Sequence, residues 1–316
     1  MEFAFTEEQQ MIGETARAFF AENATSERTR AAMAGDGIDR ALWAAFCQEL
    51  GLSGIGISES AGGAGLGMVE LAIIAEAAGA QVAALPMLGS LALAAQAIAA
   101  GGSAAQQANL LPTLLSGETI AAYVRDAALK ADGNRLSGAA DFVTHGAAAG
   151  LFVVTSNAGA WVLRADAPGV TVTALTTMDQ TRPYARVTLN GAAAEPLENP
   201  VAAIAAAHRA GFVAVAAEAL GGAQACLDRT VAYAKERVQF GRAIGSFQAY
   251  KHRLADMMIE IEQARSAVYW AAGGIGFTWE HDAHLFFKRA RAIQAMLGDG
   301  NWHREQIATM ILGDAA

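Results

Sequence analysis

Cysteine is almost absent, with only Cys47 and Cys226 in 316 residues, and that excludes both a disulfide framework and a cysteine zinc site. Positive charge is also short. Lys and Arg number 22 against 31 Asp and Glu, a net charge of −9, whereas a nucleic-acid surface needs clustered cations to neutralise phosphates. Any anionic ligand must therefore be held by local groups. Charged residues make up only 17% of the chain and hydrophobic ones 53%, which is the reverse of a disordered composition. The length suffices for two or three domains with a sizeable core. The start, Met1-Glu2-Phe3-Ala4-Phe5-Thr6-Glu7-Glu8, is acidic where a secretory signal is basic. The expectation is a cytoplasmic protein without an export signal.

No charged residue occurs from Ala77 to Gly117, and hydropathy alone would make that segment a membrane span. Pro86, Pro112, Gln96, Gln106, Gln107 and Asn109 interrupt it, and its bulk is Ala, Gly and Ser; tightly packed helices and no membrane span are expected.

Three regions follow from the periodicity. Residues 1–117 read as helical: Thr6 precedes Glu7, Glu8 and Gln9, a helix entry with acids in the first turn, and Phe19 and Phe20 carry the apolar face. A glycine-rich loop from Gly51 to Gly67 leads into a helix over Met68–Ala78; it lacks the Gly-Lys-Ser/Thr ending of a P-loop. Residues 118–199 carry short β-branched runs at 151–155, 161–163, 170–172 and 185–191, with Pro168-Gly169 and Asn190-Gly191 as turn pairs. These predict a small antiparallel β domain. Over 200–316 the helical period returns, in Leu227, Val231, Ala234 and Val238 and again in Phe247, Tyr250, Leu254, Met257 and Ile261. Both sets are helix-bundle seams, with Ser246 as N-cap of the second. No internal repeat is visible.

The most informative stretch is Glu236-Arg237-Val238-Gln239-Phe240-Gly241-Arg242-Ala243-Ile244-Gly245-Ser246-Phe247-Gln248, which runs into the helix from Ala249 to Met257. It closely resembles the acyl-CoA dehydrogenase signature, a helix end, a glycine-bounded turn and a second helix that together hold FAD. A later block, Gly273-Gly274-Ile275-Gly276-Phe277-Thr278-Trp279-Glu280-His281-Asp282, resembles the family's C-terminal glycine turn. The resemblance covers nearly the whole chain. It implies a mainly α fold with a β domain: an N-terminal α-helical domain, a middle antiparallel β barrel and a C-terminal helical bundle. One interval departs, because only 15 residues separate Met257 from Gly273 where the family carries another long helix. Either a bundle helix is lacking or an interior segment has been removed.

Arg237 admits two readings: a guanidinium making paired bonds to a diphosphate, or a cation complementing a helix C-terminus. Phe240 is likewise either core or an adenine-packing ring. The resemblance implies that Arg237, Gln239, Phe240 and Gln248 reach the FAD of a neighbouring subunit, and that backbone amides of Gly273 and Gly274 approach its adenosine diphosphate. The Gly273 block is no Rossmann fingerprint, since it lacks the third glycine and a preceding strand; a helix–helix turn is its plain alternative. Glu280, His281, Asp282 and His284 invite a metal reading, but Ala283 stands where a Glu-x-x-His motif needs histidine. No metal is expected. Glu14, Glu49 and Glu76 read as helix-surface residues.

The family reaction takes an α-proton from an acyl-CoA thioester with a glutamate while a β-hydride leaves to the flavin. At the family's spacing the glutamate position is Leu297, and its alternative on the earlier helix falls near Gly211. Neither can take a proton. Glu218, two turns beyond Gly211 on the same face, is the remaining candidate base, although packing inside a bundle explains it equally. Where the family carries Thr-Glu-Pro and a Gly/Ser-rich segment against the flavin ring, this chain has Tyr123-Val124-Arg125-Asp126-Ala127-Ala128-Leu129-Lys130. Only Phe142-Val143-Thr144 resembles the strand beside the ring, making Thr144 a candidate FAD contact. The pattern resembles the two-gene α2β2 acyl-CoA dehydrogenases of bacterial steroid side-chain breakdown, in which one family subunit carries substrate and base and the other completes the FAD site. The alternatives are a homotetramer with a relocated base, such as Glu218, and a non-enzymatic scaffold.

Overall fold

The computed structural model describes residues 5–125 and 129–273. It begins with α1 (Glu7–Asn23), α2 (Ser26–Met33), α3 (Arg40–Gln48) and α4 (Met68–Ala80). Thr6 closes α1 with a reciprocal cap: its Oγ1 accepts from the Gln9 amide at 3.2 Å, and the Gln9 side chain accepts from the Thr6 amide at 3.0 Å. The same Gln9 donates to Glu70 at 2.8 Å, while the other oxygen of Glu70 accepts from the Gly67 amide. The start of α4 is thereby fixed against α1. Phe20, Phe46 and Trp43 stack in the core these helices share.

The uncharged segment folds as a π-helix (Leu88–Ala95), α5 (Gln96–Gly101) and α6 (Ala104–Leu115), buried for most of its length. α6 is capped by Ser103 and Gln106. The π-helix is wedged against β1, where the Ser90 hydroxyl accepts from the Ala121 amide at 3.1 Å.

Eight strands then form two four-stranded sheets. They are β1 (Ala121–Arg125), β2 (Lys130–Asp132), β3 (Arg135–Thr144), β4 (Leu151–Ser156), β5 (Gly159–Arg164), β6 (Val170–Leu175), β7 (Tyr184–Ala193) and β8 (Glu195–Pro196). One sheet has the order β1-β4-β5-β8 and the other β2-β3-β7-β6. The first is buried on both faces. Ala122, Val124, Phe152, Val154, Trp161 and Leu163 face the second sheet, while their neighbours Ala121, Tyr123, Leu151, Val153 and Val162 join the helical core. That is why its strands read as continuous apolar runs. The second sheet alternates, as in the β7 series Ala185, Val187 and Leu189.

Two sequence expectations need correction here. The sheets are not purely antiparallel, because β1 pairs in parallel with β4; the polypeptide between them supplies strands to the other sheet and returns in the same sense. Asn190-Gly191 is not a hairpin turn either. It lies inside β7 at a bulge, where Gly191 takes φ +62° and the pairing slips between Leu136 and Gly138. Pro168-Gly169 does form a turn, with φ +88° at the glycine.

Pro200 at the first turn and the Asn199 side chain, accepting from the Ala202 amide at 3.0 Å, open α7 (Pro200–Glu236). This helix is long and apolar enough to cross a bilayer, yet its small-residue stripe, including Ala203, Ala207, Ala210, Ala214 and Ala217, packs into the helical core. Against α4 the two backbones touch. A Cβ on Gly221 would stand 1.9 Å from the Glu76 carbonyl, and one on Gly79 would stand 2.1 Å from that of Glu218. Only glycine permits the crossing. α8 (Gln248–Ala272) lies along α7 through Ile261, Leu254 and Met257 against Leu220, Leu227 and Val231. As one unbroken helix, α8 fills the short interval before Gly273.

Candidate functional site

The segment from Arg237 to Gln248 builds a small platform between α7 and α8. After Glu236 the chain forms a two-stranded hairpin, β9 (Val238–Gln239) and β10 (Arg242–Ala243), with Arg242 opposite Gln239. Its two turn residues, Phe240 and Gly241, both have positive φ, +52° and +76°. That is the left-handed turn favoured for two-residue hairpins. Glycine takes such a conformation freely; a left-handed phenylalanine costs about 1–2 kcal/mol. The backbone closes where the Ile244 amide donates to the Arg237 carbonyl at 2.8 Å. A 3-10 turn, Ile244–Ser246, then passes α7 at Gly245, whose missing Cβ leaves room for the Ala234 carbonyl. Ser246 sits inside this turn and α8 starts only at Gln248, so the expected Ser246 cap is displaced by the extra turn.

Strain at Phe240 does not serve burial, for its ring is 92% exposed. It meets the edge of Phe247 at a centroid distance of 6.2 Å and 90°. The other face of the arrangement is Arg242, whose guanidinium carbon sits 4.0 Å from the Phe247 centroid. Gln239 donates to the Val238 carbonyl at 2.8 Å and is exposed, as is Gln248 at the first position of α8. The Arg237 side chain is exposed, and it takes part in none of the ion pairs among the described residues. An uncommitted guanidinium, an outward aromatic ring and two carboxamides suit a group that joins phosphates to an aromatic heterocycle.

Of the expected site residues, Arg237, Gln239, Phe240 and Gln248 are thus together. Gly273 follows the end of α8, a 25-residue helix spanning roughly 37 Å. Gly274, Leu297 and the Glu280–His284 cluster lie outside the described residues. Thr144 ends β3 opposite Tyr184, and a Cβ on Gly89 of the π-helix would come within 3.0 Å of its Oγ1. Just before it, a bulge turns Phe142 outward with φ +58° and 69% exposure, its ring edge-on to Tyr184. In the stretch read as a lost flavin loop, Tyr123 is buried and accepts from Thr155 at 3.1 Å; residues 126–128 lie outside the described part.

Glu218 is committed elsewhere. It forms an ion pair with Arg182 from the β6–β7 loop, and burial raises its pKa while the Arg182 charge opposes the rise. Gly211 packs under Leu93 of the π-helix, so the two positions share a helix face but not an environment. Glu76 is not a simple surface residue as its sequence position implied. Its carboxylate pairs with Arg265 and accepts from the Tyr269 hydroxyl, both on α8. Arg265 in turn donates to Gln224 of α7 at 2.9 Å. Glu14 and Glu49 are exposed.

Sequence reasoning passed over His145, which follows Thr144. It is 1% exposed, has φ +54°, and neither imidazole nitrogen has a hydrogen-bond partner among the described residues. It borders a cavity of about 240 Å³ shared with Asp36, Gly37, Asp179 and Tyr184. Burial, then the Arg182 charge, lower its pKa to about 4, against the opposing pull of Asp36 and Asp179. Phe247 and Arg242 were also missed as site residues; the signal was the Phe-Gly pair at a two-residue turn, which forces a ring outward.

The acyl-CoA dehydrogenase N-terminal domain matches residues 6–118 and the acyl-CoA dehydrogenase C-terminal domain matches residues 202–275. The chain is 36% identical to acyl-CoA dehydrogenase IpdE2 of Mycobacterium tuberculosis over 92% of its length and 93% of that protein's. Among solved structures, the ChsE4-ChsE5 complex from Mycobacterium tuberculosis superposes with a TM-score of 0.77 at 26% identity, covering all of both chains. A variant of the Tcur3481-Tcur3483 steroid ACAD superposes with a TM-score of 0.72 at 30% identity, covering 97% of this chain and 98% of that one.

Proposed function

Because the chain belongs to the acyl-CoA dehydrogenase family, we propose that it is one subunit of a heteromeric acyl-CoA dehydrogenase, paired as α2β2 with a second family member that carries the catalytic base. The cofactor is FAD, which on binding accepts the β-hydride as the α-proton leaves, giving an α,β-unsaturated thioester. Steroid side-chain thioesters are the proposed substrates, a reading supported by the steroid ACAD among the similar structures. The cytoplasm is the proposed setting.

The observation that carries the reading is a contrast in commitment. Among the described residues Arg237 is left without an ionic partner, and Phe240 is held outward at a conformational cost, as expected of a surface that completes a neighbour's cofactor site. Glu218, the candidate base, is tied to Arg182. In that assembly Arg237 would bind phosphate oxygens, Phe240 would cover a ring, the Gln239 and Gln248 carboxamides would supply hydrogen bonds, and Thr144 would donate toward the flavin side. The proton is taken by the partner.

The test is co-expression with the second family member and flavin counting by absorbance. One FAD per heterodimer is expected, with the lone chain lacking flavin; two FAD per heterodimer, or a yellow and active lone chain, would overturn the reading.

A further inference from the structure

Phe247 is the hub of the platform, although it belongs to none of the residues that the proposed FAD site uses directly. Its ring is half-buried where the 3-10 turn enters α8. Phe240 abuts it edge-on, and Arg242 covers it at 4.0 Å. The hairpin itself has only two residue pairs, Arg242 with Gln239 and Ala243 with Val238, and an isolated hairpin of that length is marginal in water. Its turn also holds a phenylalanine in the left-handed region, a conformation that persists only where surrounding structure determines it. Besides the backbone bond from the Ile244 amide to the Arg237 carbonyl, the ring contact to Phe247 bears on that phenylalanine.

We propose that Phe247 is a positioning residue: in contact with both Phe240 and Arg242, its ring preorganises the Val238–Ala243 hairpin so that Arg237 and Phe240 meet the cofactor without first having to be ordered. The role rests on reading the hairpin as an FAD contact. Its physical content is entropic, because a hairpin already fixed before binding does not lose that freedom on binding. The contact has two independent halves, an aromatic edge-to-face pair and a cation over the same ring. Removing the ring removes both; removing the Arg242 charge removes one.

The experiment uses the flavin-free heteromeric complex, titrated with FAD by fluorescence quenching, with amide hydrogen exchange of residues 239–242 measured before FAD is added. Phe247→Leu is expected to weaken FAD about tenfold and to speed exchange across the hairpin, with the melting temperature of the complex nearly unchanged. Phe247→Tyr, which keeps the ring, should stay within about twofold of the parent. Arg242→Gln, at an exposed site, should weaken FAD about threefold. Arg237→Leu tests the underlying reading separately. If Arg237→Leu weakens FAD while Phe247→Leu and Arg242→Gln keep parental affinity and exchange, the positioning role is wrong and the cofactor assignment stands. If Arg237→Leu also binds FAD as the parent does, the cofactor assignment itself fails.

Discussion

His145 predicts an acid weakness whose size follows from its surroundings. Folded, the imidazole is enclosed beside Arg182 and stays neutral down to about pH 4; unfolded, it protonates near its ordinary value of about 6.5. Lowering the pH therefore adds a proton to the unfolded chain that the folded chain refuses, so this contribution is fully present above pH 6.5 and is lost progressively toward pH 4. Between pH 7 and pH 5 the loss from this one group is about 2 kcal/mol. His145→Asn removes the titration while keeping a residue that tolerates left-handed φ. Urea unfolding of both proteins at pH 7, 6 and 5 measures the difference. The two stabilities should converge as the pH falls, or cross, with the parent losing about 2 kcal/mol more than the variant. Parallel pH profiles would refute the argument and mean that His145 is protonated when folded, with Asp36 or Asp179 holding its charge.

Adjacent glycines in α7 should respond with opposite signs. Gly221→Ala puts a methyl 1.9 Å from the Glu76 carbonyl and should destabilise by about 3 kcal/mol or more, whereas Gly222→Ala meets nothing nearer than 3.7 Å and should stabilise by up to about 1 kcal/mol; thermal melts of the two variants decide it. Glu76→Ala leaves the partly buried Arg265 and Tyr269 without their shared acceptor and should remove about 2 kcal/mol, read as a lower urea midpoint and faster hydrogen exchange in α8. Glu218→Gln should leave steady-state dehydrogenation by the flavin-loaded complex within about twofold if, as proposed, the partner takes the proton; a loss of about 10²–10⁴-fold with FAD retained would make Glu218 the base.

The helical first third, the strand runs and α7 were legible because each rests on local signals: Thr6 before Glu7, Glu8 and Gln9 as a helix entry, the β-branched run at 185–191, and the helical period from residue 200 onward. The grouping of Arg237, Gln239, Phe240 and Gln248 was legible because twelve residues span it. What failed was non-local or conformational. The parallel β1–β4 pairing depends on where the chain returns, and the Asn190-Gly191 bulge depends on the register of β3. Glu76 looks like any helix carboxylate until α8, almost two hundred residues later, lays Arg265 and Tyr269 over it. His145 gave no signal because neither its burial nor its left-handed backbone is encoded by neighbours in sequence.

The glycine crossing of α4 and α7 has a mechanical consequence. From Gly221 to Arg237 the chain runs sixteen residues, nearly all in α7, a lever of roughly 24 Å with its fulcrum at the crossing. A tilt of about 10° there would swing Arg237 by roughly 4 Å, more than the length of the hydrogen bonds proposed for it. The aim of the platform is thus set as much by two absent methyl groups in the helical core as by any side chain on the hairpin.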